Sequence, residues 1–465
     1  MNTSIIVLPG YESQLDDDGV LHSKLKVESA SNDLLTINIP HNNIHTIPCM
    51  TYDETVNYRC SCTFQIISKD GDSEGDLQYA MRSANQAIPL GGDYFPIATP
   101  RIQNVMKLVV KYLHTKDNEN EDKDGYKYKL LRNHLSSVSF ASSWNNDMDC
   151  IATFNYCQPV HVCQESKAML MAEAETFCSD CDITTIILRS KKMKEVAGRI
   201  PPFIDDVLHL KMGDEDCIKV ALGCGDEDCD DVPVHYHKPE DAFQHPNGNT
   251  MIQALQWMLN KLKEIAPVKT KDGELNSFNL LEMYCGCGAH TMAISKTGIF
   301  DSIVAVELDQ RLVNACKVNS IKNGCCPDAS GDKEGNGTTS LIKPTSTPVY
   351  AFQGDAGEWA SKSLSRSKKQ NEVPSSLNTA SKSYWYGKDY NVLLVDPPRM
   401  GLDKIVCDLA INGSFEHIIY VSCGRKALMG DLGVLKEAFD VVDCTITDLF
   451  PRTDSVETLV HLRRR

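Results

Sequence analysis

The stretch that decides the predicted fold is residues 279–295, NLLEMYCGCGAHTMAIS. An apolar run stops abruptly at Gly286 and Gly288, and a helix-like pattern follows. This order predicts a strand, a tight loop and a helix. Glycines in such a loop let a ligand approach the backbone closely, and the free N–H groups at the start of the helix can face that ligand. Because a glycine-rich loop alone is a weak signal, it needs support from neighbouring segments.

That support comes from residues 303–307, IVAVE, a second β-branched run that ends in a carboxylate. In a doubly wound α/β domain, an acid at the end of the second strand is placed to bind both ribose hydroxyls of a nucleoside cofactor. Glu307 is therefore the candidate ribose ligand. A further strand within residues 349–360 ends at Asp355, which fits either a contact with an adenine amino group or a solvated loop acid.

The length, composition and net charge limit the class of protein to which this chain can belong. A chain of 465 residues with 42% hydrophobic residues can form two or three domains. The net charge of −16 argues against nonspecific coating of nucleic acid, although a local basic groove is compatible with it. Nineteen cysteines without a disulfide framework fit a reducing compartment. With no predicted signal peptide or membrane-spanning run, we expect a cytoplasmic protein, and a nuclear or organellar location stays open.

The first half of the chain predicts a leader and a small domain. Residues 1–50 have no sustained period and predict a poorly defined leader. Residues 51–235 alternate strand-like and helix-like patterns, which predicts an α+β domain. The predicted strands are residues 58–67, 77–83 and 184–188 with two within 136–154, and the predicted helices are 102–113 and 166–176.

The second half, residues 236–465, predicts a Rossmann-like doubly wound domain. A turn rich in Pro, Asn and Gly leads into an amphipathic helix whose apolar positions run from Met251 to Leu262. Two segments, near 325–348 and 361–390, are rich in Ser, Lys, Gly and Asn, and predict surface insertions that leave the sheet intact.

A metal site is not expected. Cys178 and Cys181 form a CxxC pair, but Cys224 and Cys229 have an irregular spacing and no histidine pair completes a zinc set. We interpret these cysteines as free thiols.

Residues 390–403, YNVLLVDPPRMGLD, form an apolar strand that ends in Asp396 and two prolines. The carboxyl end of a strand is where ligands bind in this architecture, and the prolines fix the backbone there. Methyltransferases that act on exocyclic amines usually have an aromatic residue where this chain has Arg399. The sequence therefore disfavours an amine acceptor.

Two later blocks carry reactive side chains. Residues 418–425, IIYVSCGR, form a buried strand with Cys423 at its tip, although a cysteine in such a place is more often a small buried hydrophobe. Residues 449–462, LFPRTDSVETLVHL, place Glu457 in a strand-like alternation, where an inward carboxylate is unusual unless it is paired or functional.

A cysteine, a carboxylate and a nucleoside-type cofactor fit one reaction. Carbon 5 of uracil is a poor nucleophile, so a thiolate must first add to carbon 6 and create an enolate that attacks an electrophilic methyl group. A base must then remove the carbon 5 proton before the cysteine can leave. The candidate pair for these steps is Cys423 and Glu457.

These residues resemble the S-adenosylmethionine-dependent RNA 5-methyluridine methyltransferases, closest to the tRNA (uracil-5-)-methyltransferase branch. The resemblance runs from about residue 58 to the C-terminus and is strongest from residue 236. Its motifs are YRCSCTF (58–64), AFQHPN (242–247), LLEMYCGCG (280–288), VAVE (304–307), DPPRMGLD (396–403), SC (422–423) and the FPxTxxxE pattern (450–457).

The resemblance implies roles for individual residues. Cys423 would be the nucleophile, Glu457 the base, and Asp396 a residue near the methyl donor and the target base. The cofactor would be S-adenosyl-L-methionine, in contact with Tyr284, Gly286, Glu307, Asp396, His245 and Gln244. The partner would be RNA, with the T-loop uridine of tRNA as the target, and we expect a monomer. The oligonucleotide-binding domain and four-cysteine iron–sulfur set of the ribosomal RNA branch are not found in the sequence.

The chain departs from the family pattern at several positions. Gly424 and Arg425 replace the Asn-Pro that follows the nucleophile, and Ser455 replaces the histidine of the last signature. His245 stands where the family has a glutamine, and could contact the cofactor or serve only the structure. Cys287 and Ala289 replace the loop asparagines. The alternatives are an RNA-binding protein or tRNA-folding chaperone with little turnover, and a methyltransferase acting on ribosomal RNA or on another acceptor.

Overall fold

A computed structural model describes most of the chain. The described residues are 19–51, 53–68, 76–83, 86–90, 92–116, 125–144, 149–159, 163–212, 218–222, 231–242, 245–267, 277–327, 346–367 and 382–465. Within them no helix is long and apolar enough to cross a lipid bilayer. The predicted turn near residues 70–76, Gln244, Cys224 and Cys229 lie mostly or wholly outside these ranges.

The described residues form helices and strands along the whole chain. The helices are α1 (Gly19–Thr36), α2 (Pro100–Leu113), α3 (Lys129–Arg132), α4 (Gln164–Asp180), α5 (Gly248–Ile265), α6 (Ala289–Lys296), α7 (Gln310–Lys322), α8 (Ala356–Ser367), α9 (Lys382–Tyr386), α10 (Lys404–Asn412) and α11 (Arg425–Leu435). The strands are β1 (Ile44–Ile47), β2 (Ser61–Ser68), β3 (Leu77–Ser83), β4 (Gln86–Pro89), β5 (Leu135–Ser142), β6 (Cys150–Tyr156), β7 (Thr185–Ser190), β8 (Met193–Gly198), β9 (Phe203–Met212), β10 (Ile218–Leu222), β11 (Asp231–Pro239), β12 (Asn279–Met283), β13 (Ser302–Glu307), β14 (Val349–Gln353), β15 (Val392–Val395), β16 (His417–Ser422), β17 (Phe439–Thr447) and β18 (Glu457–Arg464).

The C-terminal half is built on one eight-stranded sheet in the order β1-β17-β18-β16-β15-β12-β13-β14. Strands β14, β13, β12, β15 and β16 are parallel, whereas β18 runs antiparallel to both of its neighbours. Helices cover both faces, so the central strands are buried apolar runs, as a doubly wound sheet requires. The predicted Rossmann-like fold is confirmed.

The N-terminal half contains a seven-stranded sheet in the order β4-β3-β2-β5-β6-β7-β8. Its apolar face packs with α2 and α4 around a core that includes Phe64, Phe140 and Phe177. All pairings are antiparallel except that of β6 with β7, where α4 makes the crossover. The strands and helices predicted for this half are found as an α+β arrangement, which confirms that fold class.

A smaller sheet of β10, β9 and β11 joins the two halves. Its apolar side chains, among them Leu208 and Tyr236, share a core with α5, α6 and the central strands β12 and β13. The predicted domain boundary at residue 235/236 falls inside β11.

The start of the chain differs from the predicted leader. Over the described residues 19–50, α1 packs on the C-terminal half, and β1 adds a parallel strand next to β17. Buried side chains Val27, Ala30 and Leu34 anchor α1 in that core. The sequence did not reveal this because the residues of α1 are mostly polar and their partners lie at the other end of the chain.

The two predicted insertions are described only in part. Residues 328–345 and 368–381 lie outside the described ranges. Within the second segment, α8 continues to Ser367 and α9 buries Trp385 in the core.

Candidate active site

The three predicted catalytic residues meet at the carboxyl ends of β15 and β16. Asp396 directly follows β15, and Cys423 directly follows β16. Glu457 is the first residue of β18, where Ser422 lies opposite Thr458 in the antiparallel register. Because one more step along each strand leads to Cys423 and Glu457, the register brings this pair to the same edge of the sheet.

The site is buried, and burial controls its protonation. Glu457 is 2% exposed, and burial followed by the neighbouring Asp396 holds its pKa well above the usual value. The Asp396 side chain is 22% exposed at the wall of the site, yet burial of the carboxyl raises its pKa to about 7. Burial, then Glu457 and Asp396, raises the pKa of the Cys423 thiol. All three groups are therefore biased toward their protonated forms.

Arg399 opposes this bias. The charge of its guanidinium beside Cys423 lowers the pKa of the thiol, and the same charge lowers the pKa of Glu457. Its Nη2 donates to Ser455 Oγ at 3.4 Å, at the position where the family pattern has histidine. Arg399 is the cation that can stabilise both a thiolate and a carboxylate here.

The departure at Gly424 has a steric cause. A Cβ at this position would lie 2.5 Å from the backbone oxygen of Arg399. Only glycine fits where the loop after Cys423 passes this close to the Asp-Pro-Pro-Arg loop. Arg425, the second departure, turns away from the site, and its Nε donates to Asp33 Oδ2 of α1 at 2.5 Å.

A cavity next to this triad has the features of a cofactor site. Four residues predicted to contact the cofactor line it: Tyr284, Gly286, His245 and Asp396. Gly286 has φ +56°, and a Cβ there would meet nothing within 4 Å, so the loop leaves open space for a ligand. The other lining residues are Trp144, Tyr236, Lys238, Cys285, Cys287, Ala289 and His290. These residues surround the glycine loop where the sequence predicts that the nucleoside cofactor binds.

Glu307 holds the glycine loop through a hydrogen bond to its backbone. Its Oε2 accepts a hydrogen bond from the Gly286 amide at 3.0 Å, and its Oε1 accepts one from the Asp309 amide at 2.8 Å. Glu307 is not among the residues that line the cavity.

Asp355, for which the sequence left two roles open, is exposed. Its Oδ1 accepts a hydrogen bond from the Glu358 amide at 2.9 Å, which makes Asp355 the N-terminal cap of α8.

Two buried histidines, His245 and His290, line the same cavity. Burial, and next the charge of Lys238, lowers the pKa of His245 to about 4, and burial lowers that of His290 to about 3. Nε2 of His245 lies 4.0 Å from Asp396 Oδ2. Ligand atoms of these two histidines and Asp396 lie within 4.8 Å of one another, so they are the group among the described residues that could approach a metal ion. The sequence predicted no metal, and this remains a prediction.

The sequence analysis missed Glu282. This residue is 1% exposed in the middle of β12, where its Oε2 accepts a hydrogen bond from Thr291 Oγ1 at 2.6 Å. Burial raises its pKa to about 8. The signal was available, because Glu282 interrupts an apolar strand just as Glu457 does.

Comparisons with known proteins identify the family. The family model for tRNA (Uracil-5-)-methyltransferase matches residues 34–326 and 382–465. The chain belongs to this family. It is 26% identical to a tRNA/tmRNA (uracil-C(5))-methyltransferase of Marinomonas sp. (strain MWYL1) over 457 residues, which are 98% of this chain and 97% of that protein. It is 25% identical to a protein of the same name from Pseudoalteromonas translucida (strain TAC 125), over 89% of each chain.

A solved structure shares the fold of this tRNA (uracil-5-)-methyltransferase family member. It is the Pyrococcus abyssi tRNA (uracil-54, C5)-methyltransferase in complex with S-adenosyl-L-homocysteine. The TM-score is 0.56 at 14% sequence identity, and the match covers 98% of this chain and 86% of the other. The resemblance predicted from the motifs is thus confirmed at the level of family and fold.

The family match leaves two parts of the chain uncovered. Residues 327–381 contain most of the two predicted insertions, and the first 33 residues contain most of α1.

Proposed function

We propose that this protein methylates carbon 5 of a uridine in tRNA, with S-adenosyl-L-methionine as the methyl donor. The observation that supports this most directly is the meeting of Cys423 and Glu457 at one sheet edge, beside a cavity with an open glycine loop. Family membership and the names of the relatives agree with it.

In the proposed mechanism Cys423 acts first. Its thiolate adds to carbon 6 of the uracil, and the ring electrons move to form an enolate that is nucleophilic at carbon 5. Arg399 stabilises the thiolate, because the charge of its guanidinium lowers the pKa of the thiol. When bound, S-adenosyl-L-methionine supplies the electrophilic methyl group that carbon 5 attacks.

Glu457 acts second. In its carboxylate form it accepts the carbon 5 proton, the electron pair reforms the double bond between carbons 5 and 6, and the Cys423 thiolate leaves. Its burial makes the carboxylate a stronger base than an exposed glutamate, because the protonated form is favoured.

We assign the cofactor contacts to Tyr284, Gly286, His245 and Asp396, which line the cavity, with Glu307 at the ribose end of the loop. Gln244 was predicted to join them, and this remains a prediction because it lies outside the described residues.

Nucleoside mass spectrometry tests the reaction. An unmodified tRNA transcript is incubated with the protein and S-adenosyl-L-methionine, and the digest is analysed for 5-methyluridine. We expect the nucleoside from the wild type and from Cys157→Ala, an exposed cysteine control, but not from Cys423→Ala, which should still bind tRNA. Residual methylation by Cys423→Ala would exclude the covalent mechanism. RNA binding without methylation by the wild type would favour a tRNA-folding chaperone.

The proposed target is the T-loop uridine, which must be flipped out of the RNA loop to reach the half-buried Cys423. A transcript with cytidine at that position should give no product. A ribosomal RNA fragment tested alongside should be a poor substrate, and preference for it would favour the alternative substrate class.

We further propose that the protein acts as a monomer in the cytoplasm. Its many cysteines without a disulfide framework support a reducing compartment. Light scattering after size-exclusion chromatography and fluorescence localisation test the two statements separately.

A further inference from the structure

A lysine of α1 holds the loop that leads to Glu457. Lys26 is 8% exposed, and its Nζ donates to three backbone oxygens of that loop: Phe450 at 2.8 Å, Thr453 at 2.7 Å and Ser455 at 3.0 Å. The same ammonium lies 2.5 Å from Asp448 Oδ1, and the side chain of Asp448 is 1% exposed. The buried Lys26 ammonium therefore contacts residues along the segment 448–455, which precedes the proposed base Glu457.

The same helix also holds the nucleophile loop. Arg425 follows Cys423 by two residues, and its Nε donates to Asp33 Oδ2 at 2.5 Å. Its Nη2 donates to the backbone oxygen and to Oγ of Ser29, the latter at 3.0 Å. Asp33 and Ser29 lie on successive turns of α1, so the helix contacts both catalytic loops.

The helix is itself fixed to the rigid part of the fold. Its residues Val27, Ala30 and Leu34 are 2–3% exposed and share a core with Leu428 and Leu432 of α11. Ser23 Oγ accepts a hydrogen bond from the Cys49 amide at 2.8 Å. A helix anchored in this way can fix the positions of the loops that it contacts, because its packed side chains have little freedom to shift.

We propose that α1 is a positioning element for catalysis: Lys26 sets the place of Glu457, and Arg425 sets the place of Cys423. This inference rests on the proposed function. Removing the Lys26 charge would leave three carbonyls without their donor and Asp448 buried without its cation, so the loop would rearrange.

The two contacts serve different chemical steps, which makes them separable. Lys26→Met keeps the long apolar side chain and should slow removal of the carbon 5 proton at least tenfold. The covalent protein–RNA adduct should accumulate, and RNA deuterated at carbon 5 should react more slowly still. Arg425→Met should instead slow formation of the adduct, so that none accumulates and deuteration has no effect.

Matched variants separate positioning from general damage. Lys24→Met removes an exposed lysine from the same helix and should behave as the wild type. Lys26→Arg restores a cation and should recover part of the rate. If Lys26→Met fails to fold, Asp448→Asn tests the same contact by removing only the charge of the partner.

The result that would overturn the inference is a Lys26→Met enzyme that reacts like Lys24→Met, or one that loses adduct formation and proton removal to the same extent. A wild type that forms neither adduct nor 5-methyluridine would overturn the proposed function itself, and the inference with it.

Discussion

Ser422 lies directly opposite Thr458 where β16 pairs with β18, and this register brings Cys423 and Glu457 to the same edge of the sheet. Pairing of two central strands brings the pair to this edge, and contacts with α1 hold the adjoining loops. A nucleophile and a base on adjacent strands can reach the two atoms of one double bond, here carbons 6 and 5 of a uracil. The arrangement therefore suits addition followed by proton removal.

Replacing the proposed base should trap the intermediate. Glu457→Gln keeps the size of the side chain but cannot accept the carbon 5 proton, so product formation should fall about 10²- to 10⁴-fold. The adduct should be visible as a slower band on a denaturing gel. Glu437→Gln, at an exposed position, is the control. An unchanged rate in Glu457→Gln would mean that another group takes the proton.

Arg399 should set the pH dependence of the reaction. Burial raises the pKa of both Cys423 and Glu457, and both must lose a proton to act, so the rate should rise with pH. Because the Arg399 charge lowers both pKa values, Arg399→Gln should shift the rise to higher pH. Single-turnover rates from pH 6 to about 10 measure this shift. Arg399→Lys should shift the profile less, and identical profiles for all three proteins would contradict the assignment.

The sequence was sufficient to predict those parts of the fold that depend on patterns within a short stretch of chain. Apolar runs ending at Glu307, Asp396 and Cys423 predicted parallel strands, and the strands are parallel with these residues at their carboxyl ends. The order of the motifs was sufficient to identify the family.

The sequence was insufficient to predict contacts between side chains that are far apart along the chain. Lys26 and Phe450 are 424 residues apart, and Arg425 and Asp33 are 392 apart, so no local period relates them. The sequence shows that Gly424 departs from the family pattern but not why, because only the folded chain places the Arg399 backbone next to it.

Glu307 should govern cofactor affinity through the loop as well as through any ribose contact. Both of its oxygens accept backbone amides, from Gly286 and Asp309. Glu307→Gln turns one acceptor into a donor that faces an N–H group, at a cost of about 1.5–3 kcal/mol. We expect the Kd for S-adenosyl-L-homocysteine to rise at least tenfold by calorimetry. Glu416→Gln, an exposed control, should bind normally, and normal binding by Glu307→Gln would remove Glu307 from the site.

His290 should make the fold sensitive to acid. It is 4% exposed, and burial, then His245, lowers its pKa to about 3 in the folded protein, from 6.5 in an unfolded chain. Below pH 6.5 the unfolded chain therefore binds a proton that the folded chain does not, and stability falls with pH until about pH 3. His290→Phe removes this loss, so the variant should gain about 2 kcal/mol relative to the wild type between pH 7 and 5. Urea unfolding at the two pH values measures the gain, with His41→Phe as an exposed control. Equal losses in wild type and His290→Phe would mean that His290 accepts a proton without unfolding, and that the buried site admits a charge.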